Sequence, residues 1–440
     1  MNSYSIVVPV AIATVFAANP AISATATEIE TLKKDIRSMQ KRYDSQVSEL
    51  EDALKGLQQT SALSTSKATI YDNSFNPSIG VILNGHFKNY SAAENELPGF
   101  AVGHEGERSR EGLAVDHTEL TMSANIDDIF FGSTTIAIAE HEGETEVELE
   151  EAFVQTSAGA GLPDGLTVKA GRALWTLGYL NEHHVHTDDF ADRPLPYRVF
   201  LDGAYNDDGV EASYVLPTDV YAEVGGGIFR GDDFPFGEAG GDNLATWSAY
   251  ARTGADIGDN QSFRVGTSLL SGEAQGERLS NEELVSFTGD TDLYVIDGRY
   301  TWAPTGNASQ KEVIVQAEYF WRQEDGLYED IDAATGAVAL NEKSNGWYLQ
   351  SVYKFQPQWR VGIRYSQLHA ASTPVGLIGS ALDADGHDPK TYSAMLDWTN
   401  SEFSRIRLQL NQEDIGPDET DNQVIVQYTM SLGAHATHKY

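Results

Sequence analysis

Val424–Tyr440 reads VIVQYTMSLGAHATHKY. Val424, Val426, Tyr428, Met430, Leu432, Ala434 and Ala436 alternate with Gln427, Thr429, Ser431, Gly433, His435 and Thr437, and the chain stops on Tyr440. Successive side chains of a strand point to opposite faces, so this stretch has one apolar face and one polar or small one. An amphipathic strand that ends the chain on an aromatic is how a lipid-facing strand closes a transmembrane β-barrel.

Working back from it, the same period recurs. Trp359, Val361, Ile363 and Tyr365 oppose Arg360, Gly362, Arg364 and Ser366; Ile406, Leu408 and Leu410 oppose Arg407, Gln409 and Asn411; Val313, Val315, Ala317, Tyr319 and Trp321 oppose Gln316 and Glu318. A soluble sandwich shows this alternation too, so the connections decide. They alternate in length. Short turns fall at 126–128, 216–219, 258–260, 357 and 400–402, between long polar segments at 91–112, 175–208, 231–244, 276–290, 326–344 and 370–390. Short periplasmic turns and long outer loops are the pattern of an up-and-down outer-membrane barrel. The expected fold is all-β: a 16-stranded antiparallel transmembrane β-barrel over 80–440, with strands near 80–90, 113–126, 129–140, 145–158, 166–174, 209–217, 220–230, 245–257, 261–273, 291–303, 311–324, 345–356, 358–369, 391–400, 404–413 and 423–440. A barrel of this size encloses an aqueous lumen. Trp247, Tyr294, Tyr300, Trp302, Tyr319, Trp321, Trp347, Tyr348, Trp359, Tyr365, Tyr392 and Trp398 cluster toward strand ends, as interface girdles require.

Before the barrel lie three other textures. Residues 1–26 read as a signal peptide, with the apolar run Ile6–Ala18 and an Ala24-Thr25-Ala26 cleavage site, although Met1–Ser5 carries no Lys or Arg. Residues 27–60 place Ile29, Leu32, Ile36, Met39, Tyr43, Gln46, Leu50, Ala53 and Leu57 at alternating spacings of three and four, a heptad seam that predicts an N-terminal coiled-coil helix. Residues 61–79 read as a linker. The chain has no cysteine, which fits export without disulfides and excludes an acylated-cysteine anchor.

These features together resemble the Gram-negative outer-membrane porins with an N-terminal coiled coil, in particular the phosphate-selective porin O/P-like group and related siderophore- or metal-associated porins. Glu146–Phe153 (EVELEEAF), Val168–Gly171 (VKAG), Gly178–Glu182 (GYLNE) and Asp207–Val210 (DDGV) look like strand and loop text of that family. The resemblance implies passive diffusion of small hydrophilic solutes through a trimeric or monomeric channel in outer-membrane lipid and lipopolysaccharide, without enzyme activity. It puts the coiled coil in the periplasm, setting a homotrimer or reaching the cell wall. The alternative is a plugged barrel that acts as a tether or surface-binding protein.

Sixty-six acidic against 29 basic residues give a net charge of −37, which argues against nucleic acid as partner. Much of the acid falls in the expected outer loops, including Asp188, Asp189, Asp192, Glu277, Glu329, Asp330 and Asp332. The expected pore-lining and selectivity residues are Arg252, Arg264, Arg360, Arg364 and Arg407, on the polar sides of their strands, facing acids such as Glu318 and Asp397. Segment 175–208, over thirty residues, is long enough to fold inward and narrow the bore. Its aromatics Trp175, Tyr179, Phe190 and Tyr197 are either a solute track or loop packing. It also holds Glu182-His183-His184-Val185-His186-Thr187-Asp188-Asp189. His183, His184, His186, Asp188 and Asp189 offer imidazole and carboxylate donors to Zn²⁺ or another divalent cation at the pore mouth, a capture site rather than a required cofactor; ordinary loop polarity is the other account. No G-x-S-x-G, H-E-x-x-H, Walker loop or cysteine nucleophile is present, so no enzyme is expected.

Overall fold

The computed structural model describes residues 77–433, apart from short segments at 93–96, 104–105, 107, 109, 116–117, 142–143, 158–159, 238–243, 281–282, 381 and 417–418. The expected signal peptide, coiled coil and nearly all of the linker lie outside the described residues, as does the end of the closing strand from Ala434 to Tyr440.

Sixteen antiparallel strands form one closed sheet: β1 (Ser78–Tyr90), β2 in two segments (Gly112–Val115 and Thr118–Asn125), β3 (Phe130–His141), β4 (Glu144–Thr156), β5 (Leu166–Leu174), β6 (Asn206–Val215), β7 (Tyr221–Phe229), β8 (Thr246–Asp256), β9 (Gln261–Ser280), β10 (Glu283–Trp302), β11 (Glu312–Asp330), β12 (Val338–Gln356), β13 (Trp359–His369), β14 (Lys390–Ser401), β15 (Ser404–Gly416) and β16 (Glu419–Gly433). Each pairs with its sequence neighbours. The seam is closed by β1 on β16, from Gly80 opposite Gly433 to Tyr90 opposite Gln423. Closing the sheet on itself is the condition for it to sit in lipid.

The distribution of polarity is inverted relative to a soluble protein. Ile296, Ile363, Leu396, Ile406, Leu408, Leu410, Val424, Val426 and Leu432 face outward and exposed, whereas Gln316, Asp397, Arg407, Gln409 and Gln427 face inward and buried. An outer surface this apolar is stable only against hydrocarbon, which removes the apolar area from water. Aromatic pairs cross neighbouring strands on the outer face at two levels. Tyr294–Trp321, Trp347–Tyr365 and Tyr365–Tyr392 form one, with Trp359–Trp398 nearer the short turns. Tyr348 departs from the expected girdle: it is fully buried inside the barrel, one position out of phase with the outward Trp347.

Two expected outer loops are strands instead. Most of 276–290 and of 326–344, apart from the connection at 331–337, belongs to β9, β10, β11 and β12, which run 19 or 20 residues each. Crossing the hydrocarbon takes about 9–11 tilted residues, so roughly half of each strand stands beyond it. Outside lipid the outward face no longer has to be apolar. Acidic positions such as Glu277 and Glu329 therefore sit in strand, in a polar text that reads as loop.

Candidate functional site

The connection between β5 and β6 does not extend away from the barrel; it folds into it. Two single-turn helices (Leu180–Glu182 and Val185–Thr187) lead to a short helix, α1 (Leu195–Leu201), which carries Pro196 in its first turn and stops at Asp202 in the left-handed conformation. Pro at the start of a helix removes a donor that would have no partner there, and the αL residue ends it. The inward fold has an apolar cause. Trp175, Leu177, Leu180, Leu195, Tyr197, Val199, Phe200 and Tyr205 bury themselves against wall residues including Phe229, Leu293, Val295, Phe320, Tyr348 and Leu368, and Phe100 and Val102 of the first outer connection join the same cluster. Part of the bore is therefore filled by side chains, where the strand count alone leads one to expect water throughout.

The polar side of the segment is tied to the wall all round. Glu182 accepts two hydrogen bonds from Arg252 Nη1 (2.7 and 2.8 Å) and one from Arg264 Nη2 (2.9 Å). Asp189 accepts from Arg360 Nη1 at 2.7 Å and lies 3.7 Å from Arg299. Asp192 pairs with Arg364 and accepts from Gln409 Nε2 and Asn411 Nδ2, both at 2.7 Å. Arg407 donates to Asp397 Oδ1 (2.7 Å) and to the Asp188 carbonyl (2.8 Å), and Arg360 also holds Asp397. Glu318 accepts the Tyr179 and Leu180 amides and the Tyr197 and Tyr348 hydroxyls. Gly178 lets the chain come this close: it sits at φ +68°, and a Cβ there would collide with the Glu318 carboxylate.

Each arginine expected to line the bore thus faces inward and is engaged by a carboxylate: Arg252, Arg264 and Arg364 by the segment, Arg407 by Asp397, and Arg360 by both. The carboxyl groups respond. Burial alone would raise Asp189 and Asp192, but Arg360 with Arg299, and Arg364, outweigh it and hold both below the usual carboxylate range; Arg252 and Arg264 do the same for Glu182.

The four aromatics expected in the segment all pack. Trp175 donates Nε1–H to the Asp207 carbonyl (2.8 Å) beside Phe229. Tyr179 stacks on His183 and lies between the Arg264 and Arg299 guanidiniums. Phe190 sits under Arg364, and Tyr197 packs edge-on to Phe320.

The Glu182–Asp189 run disperses. His183 turns to the Tyr179 carbonyl, and burial pushes its pKa down. Asp188 pairs with Arg193 (2.6 Å) and Asp189 with Arg360. Only His184 and His186 remain together, and they meet Glu119 of β2 and Glu150 and Glu151 of β4. Burial disfavours the His184 cation, but Glu119 and Glu150 outweigh it and raise its pKa well above the ordinary value. Reading the sequence missed these three glutamates, and Arg299 and Arg405 as well. One signal for Glu150 was present: the outward residues of β4 shift from Val147 and Leu149 to Val154, which implies one extra residue between them.

A closed 16-stranded barrel, apolar outside and charged within, with one connection folded into its bore, has the fold of outer-membrane porins. The solved structures it resembles include the outer membrane channel DcaP of Acinetobacter baumannii (TM-score 0.52, 11% identity, covering 83% of this chain and 100% of that one). Others are the anion-selective porin from Comamonas acidovorans (TM-score 0.50, 12% identity, 81% and 99%) and OprB of Pseudomonas putida (TM-score 0.50, 11% identity, 81% and 94%). At such identities the likeness is one of fold. No protein-family model matches the chain. It is 31% identical over 393 residues to an uncharacterized protein of Aquifex aeolicus (strain VF5), covering 83% of this chain and 80% of that one, and belongs to the same family as that protein.

Proposed function

We propose that this protein is a porin of the Gram-negative outer membrane, a passive channel for small hydrophilic solutes whose bore is narrowed by segment 175–205. The reading rests on one observation above others: an inward segment pinned by charge to β8, β9, β13 and β15 inside a barrel whose outer face suits only lipid. Within it, the short turns face the periplasm, and the heptad stretch 27–60 projects there and sets a homotrimer. That last arrangement is what links the chain to the coiled-coil porins of the O/P-like or siderophore-associated type.

Selectivity follows from pairing. Because Arg252, Arg264, Arg360, Arg364 and Arg407 are all matched by carboxylates, they supply little net positive field, and the excess of 66 acidic over 29 basic residues gives a modest preference for cations. A second reading, a plugged barrel serving as tether or binding surface, is favoured by the apolar cluster inside the bore. Planar-bilayer recording in asymmetric KCl separates them. Stepwise conductance with a cation-signed reversal potential is the expected result. An anion-signed potential overturns the selectivity, and a folded barrel without conductance overturns the channel.

A further inference from the structure

The bulge in β4 is the starting point. Thr135 of β3 faces Glu151 while the next residue, Ile136, faces Leu149, so Glu150 has no partner across the ladder. In a regular strand Glu150 and Glu151 would point to opposite faces; a one-residue bulge re-aims one of them, so that both reach the bore. There they meet His184 from the inward segment and Glu119 from β2.

Distances around His184 distinguish its two ring nitrogens. Nε2 lies 3.0 Å from Glu151 Oε2, in hydrogen-bond geometry, so that an imidazole bound to a metal through Nδ1 would keep its proton on Nε2. Nδ1 lies 3.2 Å from Glu150 Oε1 and 3.4 Å from Glu119 Oε2. Charge-assisted N–H···O contacts run about 2.7–2.9 Å. Two ligands on one tetrahedral ion with bonds of about 2.0–2.2 Å are separated by roughly 3.3–3.6 Å. The Nδ1 separations approach those of ligands sharing one ion, and the ligand atoms of Glu119, Glu150 and His184 all lie within 4.8 Å of one another. The surroundings match those of a metal site: Glu151 orients the imidazole from behind, and His186 Nδ1 donates to the other oxygen of Glu119 at 2.6 Å.

We propose that Glu119, Glu150 and His184 form a divalent transition-metal site, of the kind that takes Zn²⁺, with Glu151 and His186 as positioning residues. One imidazole and two carboxylates with a fourth position left for water form a borderline-hard ligand set. The ion would staple the inward segment to β2 and β4, strands that its arginine anchors on β8, β9, β13 and β15 do not reach. His183, Asp188 and Asp189 are not ligands in this site. The proposal does not depend on the barrel conducting.

The test is Zn²⁺ titration of the full-length, detergent-folded protein by calorimetry, with the barrel checked by heat-modifiable gel mobility. One ion per chain is expected. His184→Ala and Glu150→Gln should each weaken binding by at least tenfold. Glu151→Gln should weaken it less and shift the visible bands of the Co²⁺-substituted protein, which a merely structural role would leave unmoved. His183→Ala should leave affinity unchanged. Absence of stoichiometric binding in a folded barrel would overturn the site, and so would loss in His183→Ala equal to that in His184→Ala.

Discussion

Asp192 is where the anchoring of the segment is most open to attack. Its carboxylate holds Arg364, whose side chain is 2% exposed, and accepts from Gln409 and Asn411; the Asp192 carbonyl takes a further 2.8 Å bond from Arg364 Nη1. Asp192→Ala leaves the guanidinium buried without its paired carboxylate. Removing one partner of a buried ion pair costs about 3–5 kcal/mol. Asp192 itself is about a quarter exposed, and Gln409 and Asn411 keep a 2.9 Å bond to each other, so the low end applies. At ~1.4 kcal/mol per decade, ~3 kcal/mol shifts the local opening equilibrium about a hundredfold. The opening is local because Glu182 and Asp189 keep their own arginines. Phe190, buried beneath Arg364, reports it: chymotrypsin should cut after Phe190 about a hundred times faster, since cleavage through a rapidly reclosing opening follows that equilibrium. Asp192→Asn, which keeps the shape and the Oδ1 acceptor of the Arg364 and Gln409 bonds, should fall between. Cleavage within threefold of the parent in a barrel of unchanged heat stability would refute the claim that this pair holds the segment.

Two further expectations concern stability. Asp233, in the outer connection after β7, has its pKa pushed up to about 7 by burial and by Asp207 and Asp232. The folded protein therefore keeps a proton that the unfolded chain loses near pH 4, and stability falls as pH rises from about 4 to about 7. Asp233→Asn should raise the temperature of the gel-mobility transition at pH 8 and leave it unchanged at pH 4; equal shifts at both would contradict the assignment. Ile363, outward on β13 between Trp359 and Tyr365, is 67% exposed to the surroundings of the barrel. Ile363→Arg should cost about 2–4 kcal/mol in guanidinium unfolding from phospholipid vesicles, and a cost below ~1 kcal/mol would place that face outside the bilayer.

The contrast between the two faces of a strand explains what could be read in advance. Ile406, Leu408 and Leu410 announce their orientation because lipid demands an apolar residue at every second position, a local constraint visible without knowing any neighbour. Arg360 and Arg364 announce only that they point inward. Whether they meet solute, each other or a loop depends on the course of a segment some 170 residues earlier. The length of β9–β12 escaped for the same reason in reverse: beyond the hydrocarbon no constraint marks the outward positions.

By itself, then, the sequence determined a barrel, its strand number and the direction of most strand residues, since contact with lipid writes a period of two along each strand. Tertiary structure decided which charges meet. The bulge at Glu150, the inward path of segment 175–205 and the stagger between distant strands bring His184 to Glu119 and Glu150, and Asp192 to Arg364. Interior polar residues are selected only to be satisfied, and many partners would satisfy them, so their pairing is a property of the closed barrel and not of any one strand.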